Sequence, residues 1–196
     1  MGRGEDDNVA KFTGCTATVV LISPTHLFCA NAGDSRVVLA RSSGAQMCFP
    51  LSTDHKPDDP IEKARIEAAG GFVEENRVNG SLNLSRSLGD FEYKSSHNID
   101  FTAQMVTCDP EVRSCTRQPS DEFIILACDG IWDCLSSEEA VIQMRERLQN
   151  LDENKPISSC IEEMFDKIIA KDILSSAGVG TDNMTCVVVQ LKSRNI

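Results

Sequence analysis

Three observations predict an α+β fold for this sequence. Short β-branched runs crowd the stretch after residue 16, two segments carry helical periodicity near Ser-x-x-Glu signals, and strand and helix signals follow without regular alternation. A doubly wound α/β sheet needs that alternation, so helices stacked on antiparallel sheets are the favoured arrangement.

The elements follow in order. Residues 1–12 read as a polar, acidic lead-in. Residues 16–22, 27–32 and 35–40 are apolar or branched runs separated by Ser23-Pro24-Thr25 and Gly33-Asp34, which is turn chemistry. An antiparallel meander is their simplest arrangement. Asp59-Pro60 opens a helix, with Asp as cap and Pro at the first helical position, and Gly70-Gly71 stops it. Residues 72–78 read as another strand and 79–94 as a loop. Phe123, Ile124, Ile125, Leu126 and Ala127 form an unbroken apolar block, the pattern of a strand buried on both faces, and Asp129-Gly130 breaks it. Ser136 with Glu139 is a capping box ahead of Val141, Met144 and Leu148. Ser159 with Glu162 makes a second box within a wide apolar stripe that suits packing against a sheet. Residues 185–191 are a last strand, entered through Gly180-Thr181-Asp182-Asn183.

A length of 196 residues suits one ordinary domain. No apolar stretch approaches a membrane span and the start lacks the apolar core of a secretory signal. Met1-Gly2 is set aside as a myristoylation signal because Asp6 stands where Ser or Thr is wanted. Nine cysteines, odd in number and without a C-x-x-C pair, favour a reducing, cytoplasmic or nuclear compartment over a disulfide framework. Three histidines without a Cys/His cluster argue against zinc. A net charge of −11 argues against nucleic acid or anionic membranes as partners.

Asp34, Asp129 and Asp182 share a setting: each lies in a turn beside Gly, Ser or Asn and next to an apolar strand. Asp133 follows Asp129 by four residues, so a helical turn there puts both on one side. A turn aspartate capping its own backbone is the alternative reading of each. Four convergent carboxylates would repel one another without cations, and hard oxygen ligands suit magnesium, manganese or calcium. Paired divalent ions about 3.5–4 Å apart are one way to hydrolyse phosphate esters.

"ANAGDSRVVLA", "DHKPDDPIEKARIEAAGGFV", "RVNGSLNLSRSLGDFEYK", "FIILACDGIWD" and "GTDNMTCVVV", in that order and spacing, resemble the metal-dependent protein serine/threonine phosphatases of type 2C. The resemblance covers nearly all of residues 13–191, and "LNLSRSLGD", "DNMTCVVV" and the upstream Glu5-Asp6-Asp7 look most like the gamma branch. It implies an α-β-β-α sandwich with a binuclear Mg2+ or Mn2+ centre at one end of two central sheets, acting on phosphorylated protein substrates. Carried over by motif, Asp129 and Asp182 match the core metal ligands. Asp34 and Asp133 match positions that, with Asp129, hold a weaker third metal. Residues 79–94 match the segment leading through the flap beside the site, where Arg86 and Asp90 shape the substrate groove or form a structural salt bridge. His55 lies in a motif that is structural in the family.

The family's phosphate-holding Arg, its Glu and its Asp-Gly-His-Gly motif have no counterpart here, since Asp129-Gly130 is the only Asp-Gly pair. The expectation is therefore that residues 13–196 are the C-terminal portion of a catalytic domain. Such a portion is nearly inactive alone and leaves a sheet face for a complementary N-terminal segment or a dimer partner. A truncated non-catalytic module that binds protein partners or metal is the competing expectation. A calcium buffer lacks any Asp-x-Asp-x-Asp-Gly loop.

Overall fold

The computed structural model describes residues 9–44 and 46–192, with side chains from Lys11 onward. In chain order the elements are α1 (Val9–Phe12), β1 (Gly14–Cys15), β2 (Ala17–Ile22), β3 (His26–Ala32), β4 (Arg36–Arg41), β5 (Cys48–Pro50) and α2 (Pro60–Ala68). Then come β6 (Val73–Glu74), β7 (Arg77–Val78), β8 (Leu88–Gly89), β9 (Glu111–Thr116) and β10 (Asp121–Ala127). The last are α3 (Asp129–Trp132), α4 (Ser137–Gln149), α5 (Ser158–Ile168) and β11 (Cys186–Gln190). Mixed helices and antiparallel pairs make this the expected α+β class. Residues 9–12 of the expected lead-in form a helical turn, whereas Glu5-Asp6-Asp7 lies outside the described residues.

The chain divides into two compact units. The first runs through Leu21, Phe28–Ser35 and Thr53–Arg113, and the second comprises Ile22–Leu27, Arg36–Ser52 and the chain from Ser114 on.

The second unit is built on a four-stranded sheet in the order β11-β10-β4-β5. Its two central strands are continuous apolar runs because both of their faces are covered: Val37, Val38, Leu39, Ala40, Ile124 and Ile125 have no exposure. Each buried Val, Leu or Ile side chain among them contributes roughly 1.5–3 kcal/mol of burial energy. On one face α4 and α5 lay Val141, Met144, Cys160 and Met164 onto the core. The α4 capping box is present as read: Ser136 Oγ accepts from Glu139 N at 3.2 Å and Glu139 Oε2 accepts from Ser136 N at 2.9 Å. The second box is not. The turn begins at Pro156, so the α5 N-cap is Ile157 and Ser159 already sits inside the helix, where its own N–H bonds to Pro156 O.

Two further expectations are corrected, and one strand is new. The meander of 16–22, 27–32 and 35–40 breaks after its second strand: β2 and β3 join β9 in a three-stranded sheet, and β4 pairs with β10 and β5 instead. The non-alternating Val37–Ala40 run marks it as a central strand of a different sheet. Residues 72–78 are not one strand but a hairpin, β6–β7, because Glu75 and Asn76 both take left-handed φ (48° and 58°). Strand β9 carries no apolar block and is absent from the sequence reading.

In the first unit, α2 ends as expected. Gly70 (φ 90°) lets Gly70 N reach Glu67 O and Gly71 N reach Ile66 O, both at 3.0 Å, the paired bonds of a glycine stop. Its start differs: the Asp59 carboxylate makes no helix cap and accepts from Lys56 N at 3.1 Å, tying the preceding turn. Ile66, Val78 and Val106 form the local core. Beside it Glu62, 2% exposed, accepts from Arg86 Nη2 at 2.6 Å and pairs with Arg65 Nη1 at 2.7 Å.

Burial alone would raise the Glu62 pKa, but Arg86 and Arg65 outweigh it and pull the carboxyl down to about 2 from an ordinary 4.5. A depressed folded-state pKa gives stability that is present above the unfolded value and lost as pH falls toward the folded one. The urea midpoint is therefore expected to fall as pH drops from about 4.5 toward 2, and Glu62→Gln should flatten that slope. An unchanged slope in Glu62→Gln would contradict the assignment.

Candidate metal centre

Strand β10 delivers Asp129 to the end of the second unit's sheet, and β11 starts four residues after Asp182. Between them α3 is anchored by its apolar side. Ile131 and Trp132 are buried, Trp132 Nε1 donates to Ala127 O at 2.7 Å, and the Arg36 guanidinium lies 5.1 Å from the Trp132 ring centre. This leaves Asp129 half-buried and Asp133 exposed. Asp133 N donates to Asp129 O at 2.7 Å, so the two aspartates stand one helical turn apart, as the four-residue spacing implies.

The turns bearing Asp129 and Asp182 are locked together. Cys128 N donates to Thr185 O at 3.2 Å, and Cys128 Sγ meets both Asn183 O (3.3 Å) and Thr185 N (3.2 Å). Glycine at 130 permits the approach: a Cβ there would fall 2.3 Å from Asn183 O and 3.6 Å from Asp182 Cβ. Each carboxylate is also steadied by the next backbone amide, with Asp129 Oδ1 accepting from Gly130 N at 2.9 Å and Asp182 Oδ1 from Asn183 N at 2.6 Å. The turn-capping role and a ligand role thus coexist, because each carboxylate has a second oxygen.

Asp34 belongs to the first unit. It is buried in the β3–β4 turn, and Lys56 Nζ donates to its Oδ2 at 2.5 Å. Lys56 is a participant the sequence reading missed, although "DHKP" displayed it. Arg86 and Asp90 are both committed locally. Arg86 holds Glu62 and donates through Nη1 to Asp109 O at 3.1 Å, while Asp90 Oδ2 accepts from Ser87 Oγ at 2.6 Å. Of the two roles expected for Arg86, the geometry displays the salt bridge. His55 Nδ1 lies 3.1 Å from Gly33 O. Its pKa is lowered by burial first and by the Arg86 charge second, despite the opposing carboxylates.

Among the described residues no three His, Cys, Asp or Glu side chains are gathered closely enough to hold a metal. The structure brings the Asp129, Asp133 and Asp182 backbones to one end of one sheet and places Asp34 in the other unit. Asp129 and Asp182 make no ion pair among the described residues. Adjacent oxygen donors without a protein cation fit a hard divalent ion, as part of a ligand set.

Known proteins match this chain along most of its length. The sequence model described as Protein phosphatase 2C matches residues 3–175. The chain belongs to the protein phosphatase 2C family. Its relatives include the probable protein phosphatase 2C 21 of Arabidopsis thaliana, 46% identical over 195 residues, which cover 97% of this chain and 53% of that protein. Protein phosphatase 2C homolog 2 of Schizosaccharomyces pombe is 48% identical over 186 residues, 94% of this chain and 48% of that one. The phosphatase 2C-like chain thus spans about half the length of these relatives. Among solved structures, a phosphatase from Toxoplasma gondii superposes with a TM-score of 0.70 at 29% identity, covering 85% of this chain and 50% of that one. The family is generally Mg2+- or Mn2+-dependent, which agrees with the oxygen donors at this end of the sheet.

Gly130→Ala tests the locked turns. The added methyl meets backbone rather than a flexible side chain, so the turns must part, at a cost of about 1–3 kcal/mol. A lowered Tm together with at least roughly tenfold weaker Mn2+ binding is the expected result. Unchanged Mn2+ affinity would show that the juxtaposition is not needed for the metal.

Proposed function

We propose that this chain forms part of the catalytic domain of a metal-dependent phosphatase that hydrolyses phosphoserine and phosphothreonine in proteins. The single observation that carries the reading is the pair of aspartate turns, 129 and 182, held against each other at Gly130 in a protein phosphatase 2C family member. Asp129 and Asp182, with Asp133 one helical turn from Asp129, would hold Mg2+ or Mn2+. When bound, such ions supply an activated water and neutralise charge on the phosphoryl oxygens. The chain's own contribution is orientation. The Gly130 and Asn183 amides fix the carboxylates, and α3, pinned by Trp132, fixes the spacing of Asp129 and Asp133.

In this reading a complementary N-terminal segment supplies the phosphate-holding Arg and the Asp-Gly-His-Gly motif. Two observations support it: the half-length match to the relatives, and outward-facing apolar residues on the β2-β3-β9 sheet, where Val19, Leu21 and Val112 are each more than 60% exposed. Nine free cysteines support a reducing cytoplasmic or nuclear setting. No helix among the described residues is long and apolar enough to cross a membrane.

The test is Mn2+-dependent hydrolysis of a phosphothreonine peptide by this chain, alone and mixed with a phosphatase 2C N-terminal fragment. Turnover on mixing supports a split catalytic domain. Failure of the mixture, although it binds Mn2+, would make the non-catalytic module the better reading.

A further inference from the structure

The last ladder pair between β10 and β11 is Ala127 with Cys186. Beyond it the two chains part, one into α3 and the other back toward Asp182, and the backbone adds the bond from Cys128 N to Thr185 O. The next link is a side chain. The Cys128 thiol donates to Asn183 O at 3.3 Å, and its sulfur accepts from Thr185 N at 3.2 Å. Both capacities of the thiol, as donor and as acceptor, go to the chain that carries Asp182.

The place of this link matters more than its strength. Cys128 immediately precedes Asp129, and Asn183 immediately follows Asp182. One oxygen of each carboxylate is held by the next amide, Gly130 N for Asp129 and Asn183 N for Asp182. The other oxygen of each follows the placement of its turn, and the thiol bridges the residues that flank the two. A thiol is a weak donor and a weak acceptor, so the fold is carried instead by the ladder and by the core around Ile131 and Trp132. What the thiol fixes is the separation of two oxygen donors.

Ions differ in how far they depend on such a separation. Mg2+ demands near-ideal octahedral geometry at about 2.0–2.1 Å, whereas Ca2+ accepts varied ligand numbers at about 2.3–2.6 Å. Loosening the two turns against each other therefore costs Mg2+ more than Ca2+.

We propose that Cys128 is a positioning residue of the metal centre, whose thiol sets the spacing of the Asp129 and Asp182 turns and thereby raises selectivity for Mg2+ over Ca2+. This assignment rests on the metal-dependent phosphatase reading and adds to it the choice of ion.

The test is titration of the 15N-labelled full chain with MgCl2 and, separately, with CaCl2, followed by the amide shifts of Gly130 and Asn183. In Cys128→Ala the Mg2+ dissociation constant is expected to rise at least about tenfold, as when a group that orients metal ligands is lost, and the Ca2+ constant by less than about threefold. Cys128→Ser, which keeps a donor and an acceptor, should restore most of the Mg2+ affinity. An equal loss for both ions, or no loss, would overturn the proposal while leaving the metal turns standing. Absence of saturable shifts in the wild type with either ion would overturn the metal reading and the proposal together.

A wild-type measurement covers the case in which Cys128→Ala folds poorly. What the thiol does for the ion, the ion does for the thiol, so saturating Mg2+ should slow iodoacetamide alkylation of half-buried Cys128 at least about tenfold relative to exposed Cys15 and Cys108. Saturating Ca2+ should slow it less, both rates being read by peptide mass spectrometry. An unchanged rate, or equal slowing by the two ions, would overturn the proposal.

Discussion

Asp129→Asn is expected to lower phosphopeptide turnover of the completed domain by about a hundredfold or more, with the fold intact. The amide oxygen can still accept from Gly130 N, so the turn that Asp129 Oδ1 caps at 2.9 Å survives. The substitution removes the negative charge that a hard divalent ion requires, at the point where two strands deliver their carboxylates to one place. Loss of kcat with an unchanged thermal transition is the expected pair of results. A wild-type rate would remove Asp129 from the site. Asp182→Asn should behave alike, because Asp182 Oδ1 caps Asn183 N in the same way.

The largest stability effect is expected at Glu62, away from the proposed metal ligands. Glu62→Ala leaves the guanidiniums of Arg65 and Arg86, with side chains only 13% and 15% exposed, facing a hole where their carboxylate stood. Breaking a buried ion pair from one side costs about 3–5 kcal/mol, since the remaining charge keeps its desolvation penalty. The contrast on the same helix is Glu67. Its contact with Lys63 at 3.9 Å joins side chains about half exposed, and Glu67→Ala should stay within roughly 0.5 kcal/mol. Equilibrium urea unfolding separates the two, and near-equal losses would show that the Glu62 cluster is not the anchor the geometry makes it.

Legibility in the sequence followed the range of the forces involved. The buried β10 strand, the Ser136 capping box and the Gly70-Gly71 stop are local, and each reads directly from residue type and spacing. Sheet membership is not local. β4 follows β3 by a turn, yet it joins a different sheet, and only its unbroken apolar run hinted at two buried faces. The 72–78 hairpin was hidden because Glu75 and Asn76 are held in left-handed backbone without a glycine to announce it. Strand β9, reading Glu-Val-Arg-Ser-Cys-Thr, shows neither a block nor a clean alternation of apolar residues.

The site was legible in the same uneven way. Asp129 and Asp182 could be picked out because each punctuates an apolar strand, and Asp133 because it follows Asp129 by four residues; the bond from Cys128 N to Thr185 O and the close approach at Gly130 explain the proximity of the 129 and 182 turns. Asp34 was picked out by the same logic, yet it sits in the first unit with Lys56 against it. Arg86 illustrates the opposite limit. Its motif suggested a place beside substrate, while its guanidinium is taken up by Glu62, a partner 24 residues away that nothing in the local sequence names.

The most direct test of the central claim is Mn2+ titration of the 15N-labelled chain, followed by paramagnetic broadening of individual amides. The account predicts that Asp129, Gly130, Asp182 and Asn183 broaden first and together, and that Asp129→Asn abolishes the effect. Broadening that begins elsewhere, or that survives in Asp129→Asn, would contradict the claim that these two turns hold the metal.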